Sequence, residues 1–102
     1  MDYRNKYLGD YSFSVHLSSY MYNIPFDTSY INVGKIDYGS YEHEIVISLS
    51  GGLTVYCSIY EDGTLRGNNG GGEFETTNKC IFNFDYGGHF GHTYYELIGE
   101  RK

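Results

Sequence analysis

The stretch FNFDYGGHFGHTYYEL, from Phe82 to Leu97, sets two histidines three residues apart among glycines. Two neutral imidazoles, His89 and His92, could hold zinc or copper if a further ligand such as Asp85, Glu96 or His16 joined them. Gly87, Gly88 and Gly91 account for a tight turn without any metal. The motif therefore reads as the tip of a hairpin with two solvated histidines, and no metal or other cofactor is expected. A second cluster, Glu42, His43 and Glu44, could supply a general acid and base. On a strand, Glu42 and Glu44 would share one face and His43 would take the other. No nucleophile points to it, and GxSxG, HExxH and P-loop motifs are absent from the sequence. The cluster reads as the polar start of a strand, and a hydrolase is the weakest of three functional readings. Cys57 falls on an apolar face, where burial raises a thiol's pKa and quiets it. The expectation is a protein that is not an enzyme.

Whatever positions these residues is a β-structure. The chain has 102 residues, with 13 Tyr, 6 Phe, 14 Gly, one Pro and no Ala or Trp. Aromatic residues suit pleated, half-buried surfaces, and a Gly-rich chain without Ala makes poor helices. The length fits one domain with one core, spanning 1–102. A net charge of −6 argues against nucleic acid as a partner, because phosphate binding needs clustered Lys and Arg. It argues equally against docking on anionic lipid. No window holds 18 apolar residues, so no transmembrane helix is expected. The polar opening DYRNK carries no signal-peptide pattern and reads as the start of a processed mature chain. Cys57 and Cys80 form no CxxC pair; one disulfide and two buried thiols both stay open.

Eight short strands are legible. In GDYSFSVHLSSYM, Tyr11, Phe13, Val15 and Leu17 alternate with polar residues, the period of a strand with one dry face. Pro25 marks YNIPFDTS as a loop or an edge. In YINVGKIDYG, Ile31 and Val33 are out of phase with Ile36 and Tyr38, so a β-bulge at Gly34 is expected to bring both pairs to one face. EHEIVISLS and LTVYCSIY follow, joined by an SGG turn; EDG, NNGGG and NK separate TLRG, GEFETT and CIFNFDY. TYYELIGERK is the eighth strand, and its inward set is either Tyr95 and Leu97 or Tyr94 and Ile98. Sequential hairpins argue for an antiparallel meander that must close on itself to cover its apolar face. The fold expected is all-β, an up-and-down barrel of about eight strands, with the strands at Gly9–Leu17 and Thr93–Gly99 paired to close it. The rival is a two-sheet sandwich.

Three segments, KYLGDYSFSV, GEFETTNKCIFNFDY and GGHFGHTYYELIGERK, give the chain a resemblance to the small lipocalin-like lipoproteins of Bacteroidetes-type bacteria, which form calycin-type barrels. Together they cover about two-fifths of the chain. True lipocalins place Gly-x-Trp on the first strand and pack a late Arg over that Trp. The matching positions here are Gly9 and Tyr11, with Tyr in place of Trp and Arg101 as the candidate partner. The resemblance implies an extracytoplasmic protein, secreted or tethered to an outer membrane through a lipidated cysteine upstream of this chain.

Two binding readings remain beside the hydrolase. In the first, a small hydrophobic or aromatic ligand lies inside the barrel against Phe13, Val15, Phe82 and Phe84. In the second, exposed tyrosines such as Tyr56 and Tyr60 bind protein or glycan, since Tyr offers rigid apolar area with a polar tip.

Overall fold

The computed structural model describes residues 2–21, 24–67, 69–88 and 91–102. Eight strands run in chain order around a closed, wholly antiparallel barrel. They are β1 (Gly9–Met21), β2 (Ile24–Tyr38), β3 (Glu44–Leu49), β4 (Thr54–Ile59), β5 (Thr64–Gly67), β6 (Gly70–Thr76), β7 (Lys79–Gly88) and β8 (Gly91–Arg101). Closure comes from β1 and β8, paired from Tyr11↔Arg101 to Met21↔Gly91. The turns follow their glycines: Gly52 and Gly63 take φ of +101° and +89°, which L-residues with a Cβ rarely adopt.

Period two decides the interior. Tyr11, Phe13, Val15, Ile36, Ile45, Ile47, Val55, Cys57, Ile59, Leu65, Phe74, Cys80, Phe82, Phe84 and Leu97 are buried in one cluster. Phe13 crosses the middle of the barrel between two glycines, Gly99 directly opposite it on β8 and Gly34 diagonal to it on β2. A Cβ built on Gly34 would lie 2.8 Å from Phe13 Cε2, and one on Gly99 would lie 2.6 Å from Phe13 Cε1. This corrects the bulge expected at Gly34. The β1–β2 register runs unbroken from Gly9↔Ile36 to Met21↔Ile24, so Ile31 and Val33 stay outside, 73% and 47% exposed. Gly34 leaves room for the Phe13 ring and for the Ser48 carbonyl of β3. The register shift lies elsewhere, between Phe74 and Thr76 on β6. On β8 the inward set is Tyr95 and Leu97, with Tyr94 exposed.

The two ends of the barrel differ. The lower end is sealed by a short 3-10 helix, Tyr3–Tyr7, which the polar opening of the sequence does not suggest. Asp2 caps it by accepting from Arg4 N, and the Arg4 guanidinium beside it holds the Asp2 carboxyl down at about 2. Arg4 is buried, donates to the carbonyls of Tyr41 and Glu44, and stacks 4.6 Å from the Tyr38 ring. Tyr7 packs on Phe74 with ring centroids 4.2 Å apart. Arg101 lies 5.0 Å over the Tyr11 ring, the contact that the resemblance implies. Its fork also donates to the carbonyls of Leu8, Lys6 and Thr77 and to Tyr11 Oη.

The upper end is open because the strands are unequal. β3 pairs with β2 only over Gly34–Tyr38, and β6 reaches only Phe84 on β7. Beyond those points β2, β1, β8 and β7 continue as a four-stranded wall, which makes the molecule long, 49 × 25 × 22 Å.

Candidate functional site: the open mouth and its wall

The mouth is where the inward-facing positions of the barrel first meet solvent. A groove of about 190 Å³ opens there, lined by Thr54, Val55, Tyr56, Gly67, Asn69, Gly70, Phe82 and Phe84. Local sequence explains the opening. β5 ends at Gly67 and β6 begins at Gly70, and these two glycines pair, so neither strand puts a side chain on the rim there. A Cβ on Gly67 would lie 3.0 Å from Phe82 Cζ. Above the groove, Phe84 on β7 stacks on its cross-strand neighbour Tyr95, with ring centroids 4.8 Å apart and planes 9° from parallel. Ser19 and Thr93 hydroxyls meet at 3.2 Å one step higher on the same face. The mouth thus offers flat aromatic surface below and hydroxyls above.

The four residues predicted to line a cavity divide by depth. Phe13 and Val15 are fully packed in the core, Phe13 against Tyr11 with centroids 5.9 Å apart. Phe82 and Phe84 line the mouth groove. Thr54, Val55, Gly67, Asn69, Gly70 and Tyr95 are site residues that sequence reasoning did not single out. The Gly-rich run between β5 and β6 is the signal that could have located them. The two tyrosines predicted for surface binding are both exposed, and they do not form one patch. Tyr56 is a lip of the mouth, and Tyr60 lies four residues on, about 13 Å along the strand toward the closed end.

A larger, open groove of about 490 Å³ follows the outer face of the wall, lined in part by His16, Ser18, Asn83, Asp85, Tyr94 and Glu96. His16 in this groove and His92 on β8 are both already engaged. His16 Nε2 lies 2.5 Å from Asp27 and His92 Nε2 lies 2.5 Å from Asp85, each a diagonal pair on neighbouring strands. Among the described residues no three of His, Cys, Asp and Glu gather in a metal-holding group. His89 lies outside the described residues.

The acid–base candidates are separated. Glu42 and His43 sit in the turn before β3, so the two carboxylates do not share a strand face as predicted. His43 Nδ1 lies 2.7 Å from Tyr3 Oη, and Glu44 accepts from Ser40 N at 2.8 Å. His43 and Glu44 are thus tied into the closed end. Cys57 and Cys80 are free, buried thiols. Burial pushes Cys57 up to about 12 and Cys80 up to about 11, far from nucleophilic at neutral pH.

No family model, curated protein or solved structure matches this chain. Its chemistry has to be read from the mouth itself.

Proposed function

We propose that the protein is a non-enzymatic, extracytoplasmic binding domain that takes a small apolar or aromatic ligand at the open mouth of the barrel. One observation carries this reading. The interior is filled around Phe13, while the Phe84–Tyr95 stack stands beside a groove floored by Val55 and Phe82. Parallel aromatic faces next to an apolar recess favour a flat hydrophobic ligand, with hydroxyls at the rim to orient it. The Arg101–Tyr11 contact supports the resemblance to lipocalin-like lipoproteins, and with it a tether upstream of this chain.

The test is native mass spectrometry of the purified protein before and after organic extraction, followed by titration with a fluorescent apolar probe. A co-purified molecule lost on extraction, and probe binding weakened by Phe84→Ala, support the mouth. Probe binding that Phe84→Ala leaves unchanged, or no binding at all, overturns it. The tyrosine-surface reading keeps one specific support, Tyr56, which is 60% exposed at the lip of the same groove. A glycan that binds the extracted protein and is lost with Tyr56→Ala would favour it.

A further inference from the structure

The wall ends in an open edge. Among the described residues, nothing pairs with β2 N-terminal to Val33 on the side away from β1. The direction of its backbone groups follows from one hydrogen bond. Ser50 N donates to Val33 O at 2.9 Å, so the peptide groups of Val33 face away from β1. Along an unbroken antiparallel strand this alternates, so Ile31, Ser29, Asp27 and Pro25 also turn their backbone groups outward. Pro25, with no N–H, therefore costs the β1 ladder nothing. Edge strands usually carry Lys, a bulge or Pro in mid-strand to discourage pairing. From Ile24 to Gly34 this edge has no Lys or Arg and no register shift, and its Pro lies at one end. Ile24, Phe26, Tyr30, Ile31 and Val33 are exposed along it.

We infer that this edge pairs antiparallel with the same edge of a second copy of the chain, about a two-fold axis at Ser29. The register follows from which groups are usable. Centring on Ser29 sets Ser29 against Ser29, and Asp27 against Ile31 twice. That makes three complete pairs, each exchanging two bonds. It also sets Pro25, which has no donor, opposite Val33, whose carbonyl is already taken by Ser50. A shift of the pairing in either direction breaks this. One way puts Pro25 opposite the Ile31 carbonyl and leaves that acceptor unmet. The other puts Asp27 opposite the occupied Val33 carbonyl. Either shift leaves two complete pairs.

Charge and exposed apolar surface agree with a second copy. The one charged residue of the edge, Asp27, is held by His16 on its own sheet and faces Ile31 of the other copy. The two Asp27 carboxylates stand about 13 Å apart, beyond the Debye length at physiological salt. On the inner face Phe26 and Tyr30 of both copies come together around the axis. Ile24, Phe26, Tyr30, Ile31 and Val33 are exposed in the single copy, and pairing of the two edges would cover part of that apolar surface. The two walls would then form one continuous eight-stranded sheet with a barrel at each end.

Sedimentation across a concentration series, with the chain as it stands, reads the oligomeric state. Dimer is expected, lost in Ile31→Lys and retained in Tyr41→Lys at the closed end. Register is read separately by cysteine cross-linking. Facing Cα atoms in a hydrogen-bonded pair are about 5.5 Å apart, within disulfide reach. Ser29→Cys should cross-link to itself on oxidation. Asp27→Cys and Ile31→Cys should each fail alone and cross-link when mixed. A monomer at every concentration overturns the inference, even if it binds an unrelated extended peptide. So does a dimer that Ser29→Cys does not lock.

Discussion

The packing of Phe13 between two glycines makes a double-mutant cycle that separates side-chain crowding from backbone crowding. The nearest atoms to a methyl on residue 99 would all be side-chain atoms, Phe13 at 2.6 Å and Cys80 Sγ at 2.9 Å. A methyl on residue 34 would meet Phe13 at 2.8 Å and also the Ser48 carbonyl at 2.7 Å, which belongs to the β3 backbone. Overpacking of this kind costs about 1–3 kcal/mol, so Gly99→Ala and Gly34→Ala should each destabilise by about 2 kcal/mol. Phe13→Leu alone opens space and should cost about 1–2 kcal/mol. Combined with Gly99→Ala it removes the main clash, so the double variant should be no less stable than Phe13→Leu, a coupling of about 2 kcal/mol. Combined with Gly34→Ala it leaves the carbonyl clash, and most of the cost should remain. Urea unfolding with a common slope reads the wild type and all five variants. Gly99→Ala at wild-type stability, or equal rescue at both glycines, would refute the account of Phe13 as the filler of the barrel.

Replacing Arg101 with Lys keeps the charge and loses the planar fork that serves three carbonyls and Tyr11 Oη; a loss of about 3 kcal/mol is expected by urea unfolding, and a loss near zero would show that the seal lies elsewhere. Cys57, Cys80 and Tyr11 are raised from 9.0 to about 12, from 9.0 to about 11 and from 10.0 to about 12, chiefly by burial. Their protonated forms belong to the fold, so the stability they lend is whole below about pH 9 and drains as pH rises toward 12. Between about pH 8 and about pH 10.5 unfolding free energy should fall by about 2–4 kcal/mol, and Cys80→Ala should flatten the profile. Both thiols should react with an aromatic disulfide reagent only as fast as the barrel opens; rapid labelling in native buffer at about pH 8 would contradict their burial.

Strand identity was legible because one face is dry. Tyr11, Phe13 and Val15, or Ile45, Ile47 and Leu49, mark period two without help from partners, and glycine-bearing turns space them. A bulge at Gly34 is the wrong expectation because apolar character alone points Ile31 and Val33 to the core, whereas they lie on the outer face of the wall. The closed-end helix was hidden because its burial rests on Arg4 and Tyr7, and a buried arginine satisfied by carbonyls has no apolar signature. For the mouth, Phe13 and Phe84 look alike in sequence. Which one sits deep depends on height along the barrel axis, and that is set by unequal strand lengths and register. The wall follows from the same inequality, since pairing partners for 24–32 were never encoded on β3.

Closure by the last strand has a kinetic consequence. The pairs that shut the barrel join residues up to ninety positions apart, Arg101 with Tyr11 among them. Hairpins such as β1–β2 can form as soon as their residues exist, whereas closure waits for the final strand and carries the loop-entropy cost of nearly the whole chain. Folding dominated by such distant contacts runs on the order of milliseconds to seconds. Until then both sides of the meander are open, β1 along its length and β7 along its own. A nascent chain lacking β8 therefore presents two sticky borders where the finished barrel keeps only the upper stretch of its wall, and shielding during synthesis matters most in that interval.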